Sequence, residues 1–130
     1  MERVAMRTPV SDIVDRYTIL KLKQKYIGSS IQRQFNIYHK EVRKLRKQGI
    51  VKEEWIKKLS QINKSIWELE CMIGDIVREN FDFEEIGRKA LEIRELNRQR
   101  IEVKNKICEE TGEGFPEIKI DHTSVHPREK

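Results

Sequence analysis

Polar and charged side chains recur at helical spacing in three segments of the sequence, at positions where a plain helical bundle would place apolar ones. In the first segment, Asp15 and Lys23 stand eight residues apart on one face of a predicted helix. In the last segment, Asn97, Arg100 and Lys104 continue an apolar line by steps of three and four. Burying such groups is costly unless each is paired or contacts a ligand. The spacing therefore predicts either a polar pocket or a polar network between helices.

The middle segment adds an aromatic ring, because Asn63, Trp67 and Glu70 form an i, i+4, i+7 line beside an apolar seam. Lysine and arginine side chains can neutralise an anion, asparagines can hydrogen-bond it, and an indole can stack on a flat ring. We therefore predict a single ligand-binding set that consists of Asp15, Arg16, Lys23, Asn63, Trp67, Glu70, Asn97, Arg100 and Lys104. The alternative is a satisfied network in which Asn97 fixes the register of the helices.

Motifs for catalysis are weak in this sequence. Glu92 and Glu95 form an E-x-x-E pair, and Asp12 and Asp15 form a D-x-x-D pair. Nucleotide pyrophosphatases of the all-α class hold Mg²⁺ with carboxylates at such spacing, but no E-x-x-D partner follows here. A metal-dependent hydrolase of that kind, with Mg²⁺, is an alternative. The sequence favours a non-enzymatic function, with no predicted catalytic residue, metal ligand or other cofactor.

One basic segment could bind nucleic acid. Residues 40–47 read KEVRKLRK, a basic and amphipathic stretch that can hold phosphates without sequence specificity. It carries no recognition-helix motif and no aromatic platform for bases. A solvated helix end, whose cations suit the C-terminal dipole, is the favoured interpretation of this segment.

Apolar periodicity predicts the elements that must position these side chains. The steps indicate three helices over about 9–48, 52–79 and 83–110, the first passing through Gly28 with a bend. Between Trp55 and Ile76 the apolar steps alternate four and three, which is a heptad seam. We predict an all-α fold, a long antiparallel helical hairpin or three-helix coiled-coil-like bundle that is oligomeric. Residues 1–116 form one helical domain and 117–130 a C-terminal tail.

The charge is unevenly distributed along the chain. Residues 1–65 carry 16 basic and 6 acidic side chains, whereas residues 66–130 carry 11 and 16. This asymmetry favours an anionic partner near the first half, or pairing between copies of the chain. The sequence has no apolar run of membrane-spanning length and no signal-peptide profile, so we expect no membrane partner and a cytoplasmic location, the host cytoplasm if the protein is viral.

Three segments carry a resemblance to a known family. Residues 11–23 (SDIVDRYTILKLK), 63–70 (NKSIWELE) and 97–104 (NRQRIEVK) resemble a family of small helical domains of unknown function, some of which are associated with bacterial glycan-synthesis loci. The resemblance implies no established activity. It implies that one shared constellation is formed by Asp15, Lys23, Asn63, Trp67, Glu70, Asn97, Arg100 and Lys104. The sequence departs from the family pattern at Cys71, where a second acid is usual, and at Cys108, where a polar residue is usual.

Together these patterns favour a non-enzymatic helical protein that captures a small anionic molecule in a polar pocket between helices. The expected ligand is a nucleotide or a nucleotide-derived signal, which a viral or bacterial protein of this kind would sequester. The alternatives are the pyrophosphatase-like hydrolase and a coiled-coil adaptor that only assembles with itself.

Overall fold

The computed structural model describes residues 8–116, and over this range the chain is helical, with no strand. The prediction of an all-α fold is confirmed for these residues, whereas the predicted tail at 117–130 lies outside them. None of these helices is both long and apolar enough to cross a membrane. The four α-helices are α1 (Val10–Ile27), α2 (Gln32–Lys47), α3 (Glu53–Glu79) and α4 (Phe83–Thr111).

The chain breaks at Gly28, so the prediction of a single helix over 9–48 is wrong. Gly28 has φ +89° and ψ −139°, a backbone conformation that essentially only glycine adopts. One turn of 3₁₀ helix follows at Ser29–Ile31, and α2 then packs back onto α1. The ring of Tyr17 lies 6.0 Å from that of Phe35 and 5.9 Å from that of His39, centroid to centroid. Apolar residues that read as one continuous seam therefore face each other across a hairpin.

The other two predicted helices agree with α3 and α4 to within a residue or two. Asp82 caps the start of α4 by accepting hydrogen bonds from the backbone N–H groups of Glu84 (3.1 Å) and Glu85 (3.2 Å). Gly112, at φ +67°, ends the helix in the left-handed conformation that is common at helix C-termini.

The core lies at one end of the molecule, where α1 contacts all three other helices. Each helix contributes buried apolar side chains there, as does the loop between α2 and α3. The main cluster consists of Val10, Ile13, Val14, Tyr17, Val42, Leu45, Val51, Trp55, Leu59 and Ile107.

The α3–α4 hairpin extends away from this core. Between residues 64 and 106 no side chain of either helix is fully buried. The heptad seam is buried at Trp55 and Leu59, but it is only half-buried from Ile62 to Ile76. In the far part of the hairpin, which we call the distal hairpin (residues 64–96), α3 and α4 pack on each other, and Trp67 at its near end also contacts Tyr26 of α1.

Candidate functional site

A buried carboxylate, Asp15, joins all three polar segments of the sequence. Its residue is 4% exposed, and Asn63 donates a hydrogen bond from Nδ2 to its Oδ1 at 3.0 Å. Arg100 donates from Nε to both carboxylate oxygens, at 2.9 and 3.1 Å, and from Nη2 to Oδ2. Lys104 Nζ lies 4.0 Å from Oδ2. Side chains from α1, α3 and α4 thus meet at one charged centre.

The environment of Asp15 keeps this carboxylate ionised. Burial acts to raise the pKa of Asp15, but hydrogen bonds from Arg100 and Asn63 and the positive charges of Arg100 and Lys104 outweigh it. The pKa therefore lies below the ordinary aspartate value of 3.8. An acid held in this way does not deliver a proton at neutral pH, and its function is to anchor the cations around it.

A hydroxyl group completes the buried network. Thr18 donates from Oγ1 to the backbone carbonyl of Asp15 at 2.7 Å, a bond that threonine in a helix commonly makes to a preceding turn. The same oxygen accepts a hydrogen bond from Asn63 Nδ2 at 2.8 Å. Asn63 therefore bridges two groups on α1, and its burial leaves neither of them without a partner.

Three contacts align α1 with α4. Cys108 Sγ lies 3.3 Å from Ser11 Oγ, Lys104 Nζ lies 3.1 Å from Asp12 Oδ1, and Arg100 binds Asp15. From the first pair to the third, the residue number rises on α1 and falls on α4, so the two helices are antiparallel. The alignment presents two cations of α4 beside two carboxylates of α1.

A cleft of about 670 Å³ opens beside this network, between α1, α2 and α4. Four cations and two carboxylates line it, which leaves an excess of two positive charges. We call it the cationic cleft, and its lining consists of Thr8, Asp12, Asp15, Arg16, Ile19, Leu20, Lys23, Gln34, Tyr38, Arg100 and Lys104.

Helical geometry places these residues on a floor and two walls. Asp12, Arg16, Ile19 and Lys23 follow one another on α1 by steps of four, three and four, which puts them on one face as the floor. Arg100 and Lys104 come from α4 on one side, and Gln34 and Tyr38 come from α2 on the other.

The predicted site residues divide into three groups. Asp15, Arg16, Lys23, Arg100 and Lys104 of the predicted set line the cationic cleft together. Asn63 lies behind the cleft, where its amide supports Asp15.

The other three predicted residues lie away from the cleft lining. The Trp67 ring stacks on that of Tyr26, with centroids 5.5 Å apart and an interplanar angle of 14°. Glu70 is exposed further along α3, and Asn97 is half-buried on α4, one turn before Arg100. The structure thus pairs the predicted aromatic platform with another ring of the protein.

Six residues of the cleft lining were missing from the predicted set, namely Thr8, Asp12, Ile19, Leu20, Gln34 and Tyr38. Gln34 and Tyr38 belong to α2, and both would lie far from Lys23 and Arg100 if α1 and α2 formed one continuous helix. The Gly28-Ser29-Ser30 tripeptide was the available signal, since these residues favour turns over helix interiors.

Three of the four carboxylates considered for Mg²⁺, namely Asp12, Asp15 and Glu95, are engaged by cations. Asp12 faces Lys104, and Asp15 binds Arg100, so the D-x-x-D carboxylates are already neutralised. On α4, Glu95 pairs with Arg98 at 2.6 Å. Within residues 8–116 no three histidine, cysteine or acidic side chains group as a metal site would require.

The basic segment 40–47 forms the end of α2. Lys40, Arg43, Lys44 and Lys47 are exposed, whereas Arg46 forms an ion pair with Glu53. Val42 and Leu45 of the same segment are buried in the core, so its apolar face is fully used inside the molecule.

Comparison with known proteins found no matching family model, no similar curated protein and no similar solved structure. The resemblance to small helical domains of glycan-synthesis loci therefore stays a prediction. Any function for this chain must be argued from the cleft itself.

Proposed function

We propose that this protein binds a small anionic ligand, a nucleotide or nucleotide-derived signal, in the cationic cleft and sequesters it without transforming it. The observation that carries the proposal is the excess of positive charge in a cleft of ligand size. Arg16 and Lys23 supply this excess, because neither forms an ion pair with any residue between 8 and 116. A carboxylate or phosphate group is the natural partner for such side chains.

The dimensions and lining of the cleft support a nucleotide-sized molecule. Ligand pockets usually measure about 300–1,000 Å³, and this cleft falls within that range. Arg16 offers several N–H donors in a fixed fork that suits phosphate oxygens. The Tyr38 ring on the opposite wall offers an aromatic surface and a hydroxyl group for the rest of the ligand.

The chemistry of the lining favours binding over turnover. A general acid or base must be able to gain or release a proton near neutral pH. Asp15 is held ionised by Arg100 and Asn63, and Asp12 is paired with Lys104. The two carboxylates therefore serve to position cations, and the proposal assigns no catalytic step to them.

Isothermal titration calorimetry with ADP tests the binding proposal. Arg16→Ala removes a charged donor and should weaken ADP binding by about tenfold or more, since a hydrogen bond to a charged group contributes about 1.5–3 kcal/mol. The matched control is Lys21→Ala, which removes a cation from the same helix outside the cleft lining and should leave affinity within about twofold of the parent. Equal losses of ADP affinity in the two variants would contradict the proposal.

Incubation with nucleotide and Mg²⁺ separates capture from hydrolysis. Chromatography should recover ADP unchanged from the parent protein, and heat-denatured protein should release the bound fraction intact. Mg²⁺-dependent appearance of AMP and phosphate, lost in Asp15→Asn, would instead support the pyrophosphatase-like alternative.

A second candidate function, self-assembly, rests on the distal hairpin. A groove of about 400 Å³ runs between α3 and α4, with an apolar floor of Leu69, Met72 and Leu96 and with glutamates along its edges. The exposed stripe of α2 is complementary, because it carries basic residues around Ile37, which is 61% exposed. We propose that α2 of a second copy occupies this groove.

Native mass spectrometry of the parent and two variants tests this assembly. Met72→Glu places a charge on the floor of the groove at a residue already 45% exposed, so the fold should survive while dimers dissociate. Ile27→Glu is the control, since Ile27 is 55% exposed and lies on α1 away from the groove. A parent that is monomeric at tens of micromolar, or dimers that Met72→Glu leaves intact, would refute the assembly.

A further inference from the structure

We infer that the ligand of the cationic cleft carries two anionic groups on opposite sides of a neutral body, an inference that rests on the proposed function. The relevant observation is the spacing of the two cations that lack an ion pair between residues 8 and 116. Arg16 and Lys23 are seven residues apart on α1, so their backbone positions differ by about 10 Å along the helix axis. Both lie on the floor of the same cleft, separated by Ile19.

The excess positive charge is divided between the two ends of the cleft. At one end, Asp12 and Asp15 bind Lys104 and Arg100, and Arg16 adds one further positive charge beside these neutralised pairs. Lys23 adds the second positive charge of the excess, about two helical turns from Arg16. Between residues 8 and 116 no carboxylate in the cleft lining lies near this second end.

The middle of the cleft is neutral. Ile19 and Leu20 lie between the two cations on α1, and the side chains that α2 contributes to the lining, Gln34 and Tyr38, are an uncharged amide and a phenol. An amide and a hydroxyl can hydrogen-bond the hydroxyl groups of a sugar, and an apolar floor suits a sugar or base face. A ligand that fills the cleft thus meets a cation, a neutral stretch and a second cation in that order.

Ligands differ in how well they match this order. A nucleoside 5′-diphosphate concentrates its charge in one group of adjacent phosphates, whereas a nucleoside 3′,5′-bisphosphate carries one phosphate on each side of the ribose. The first kind of ligand satisfies one end of the cleft and leaves the other cation solvated. The second kind engages Arg16 and Lys23 at the same time, with the ribose over the neutral stretch.

Adenosine 3′,5′-bisphosphate and ADP provide a direct test, since they are isomers that differ in where the second phosphate is attached. Calorimetry should show that the parent binds the bisphosphate about tenfold more tightly than ADP. Lys23→Ala should abolish this preference, and Lys21→Ala should preserve it. A double-mutant cycle with Arg16→Ala should give additive losses for the bisphosphate, because the two cations contact separate groups.

The remaining outcomes distinguish the inference from the function on which it rests. Equal affinity for the two isomers, or a preference that survives Lys23→Ala, would overturn the inference that the ligand carries two separated anionic groups. Neither result would contradict the binding of an anion in the cleft. Strongly coupled losses in the cycle would also overturn the inference, since they would mean that both cations converge on one phosphate. If the parent binds neither isomer, the inference and the proposed function fail together.

Discussion

Replacement of Asp15 by asparagine should destabilise this protein more than any other single isosteric change on α1. The substitution keeps the shape of the side chain but removes the charge that holds Arg100 and Lys104. The Asp15 carboxylate accepts hydrogen bonds from Asn63 and from the Arg100 guanidinium. An asparagine at this position would carry an NH2 group, which is a donor and cannot accept either bond. The network would then contain cations with no buried anion between them.

The loss in the free energy of unfolding depends on how deeply the partners of Asp15 are buried. Breaking a buried ion pair from one side costs about 3–5 kcal/mol, because the remaining charge is left unpaired. The Arg100 side chain is 30% exposed, so water can partly solvate it once its partner is gone. We therefore expect Asp15→Asn to lower the free energy of unfolding by about 2–3 kcal/mol at neutral pH.

The pH dependence of this loss provides a second signature. The pKa of Asp15 is lowered in the folded protein, so the folded state binds this proton less tightly than the unfolded state does. The contribution of Asp15 is complete above the unfolded pKa, near 3.8, and disappears as the pH falls from there through the folded pKa. The gap in stability between parent and variant should be constant from about pH 7 to pH 5 and should narrow below about pH 4.

Urea unfolding followed by far-ultraviolet circular dichroism measures both effects. Asp12→Asn is the matched control, since Asp12 is also paired with Lys104 but its side chain is 51% exposed, and its loss should cost about 0–1 kcal/mol. Similar losses for the two variants, or a gap that does not narrow in acid, would refute the reasoning about the buried centre.

Four further substitutions test the fold. Gly28→Ala should cost about 1–3 kcal/mol, because φ +89° strains an alanine although no atom lies within 4 Å of its Cβ; a Gly28→Ala melting temperature equal to that of the parent would indicate a continuous helix. Leu59→Ala should cost about 2–5 kcal/mol in urea unfolding and Leu69→Ala clearly less, since Leu59 is fully buried and Leu69 is not; equal losses would contradict a core confined to one end. Asp82→Ala should cost about 1 kcal/mol and speed amide exchange in the first turn of α4, and unchanged exchange would mean that the cap contributes nothing.

Helix positions were predictable where local signals and apolar spacing agreed. The apolar steps of α3 and of α4 are local features of the sequence, so they located both helices without knowledge of the tertiary packing. The break at Gly28 was missed because Ile27 and Ile31 keep the apolar spacing across it. Periodicity reports which residues avoid water, and it does not distinguish one long helix from two helices that fold onto each other.

The site was predictable in part for a similar reason. Side chains at i, i+4 and i+7 share a helix face wherever the helix is placed, so Arg100 and Lys104 could be grouped from spacing alone. Which helix they face depends on tertiary packing, and that packing brings in Tyr38 from α2 while pairing Trp67 with Tyr26. The spacing of an aromatic residue in the sequence therefore does not reveal whether its ring lines the cleft or packs elsewhere.

The two interpretations of the polar residues, a structural network and a ligand site, describe adjacent parts of one arrangement. Asp15, Asn63 and Thr18 form the buried layer, where hydrogen bonds join the three side chains. Arg16 and Lys23 belong to the open layer, and they line the cleft without an ion pair to residues 8–116. Because Asp15 also binds Arg100, the buried layer fixes α1 against α4 and with it the α4 side of the cleft. Loss of Asp15 should therefore weaken both stability and ligand affinity, whereas loss of Lys23 should weaken affinity alone.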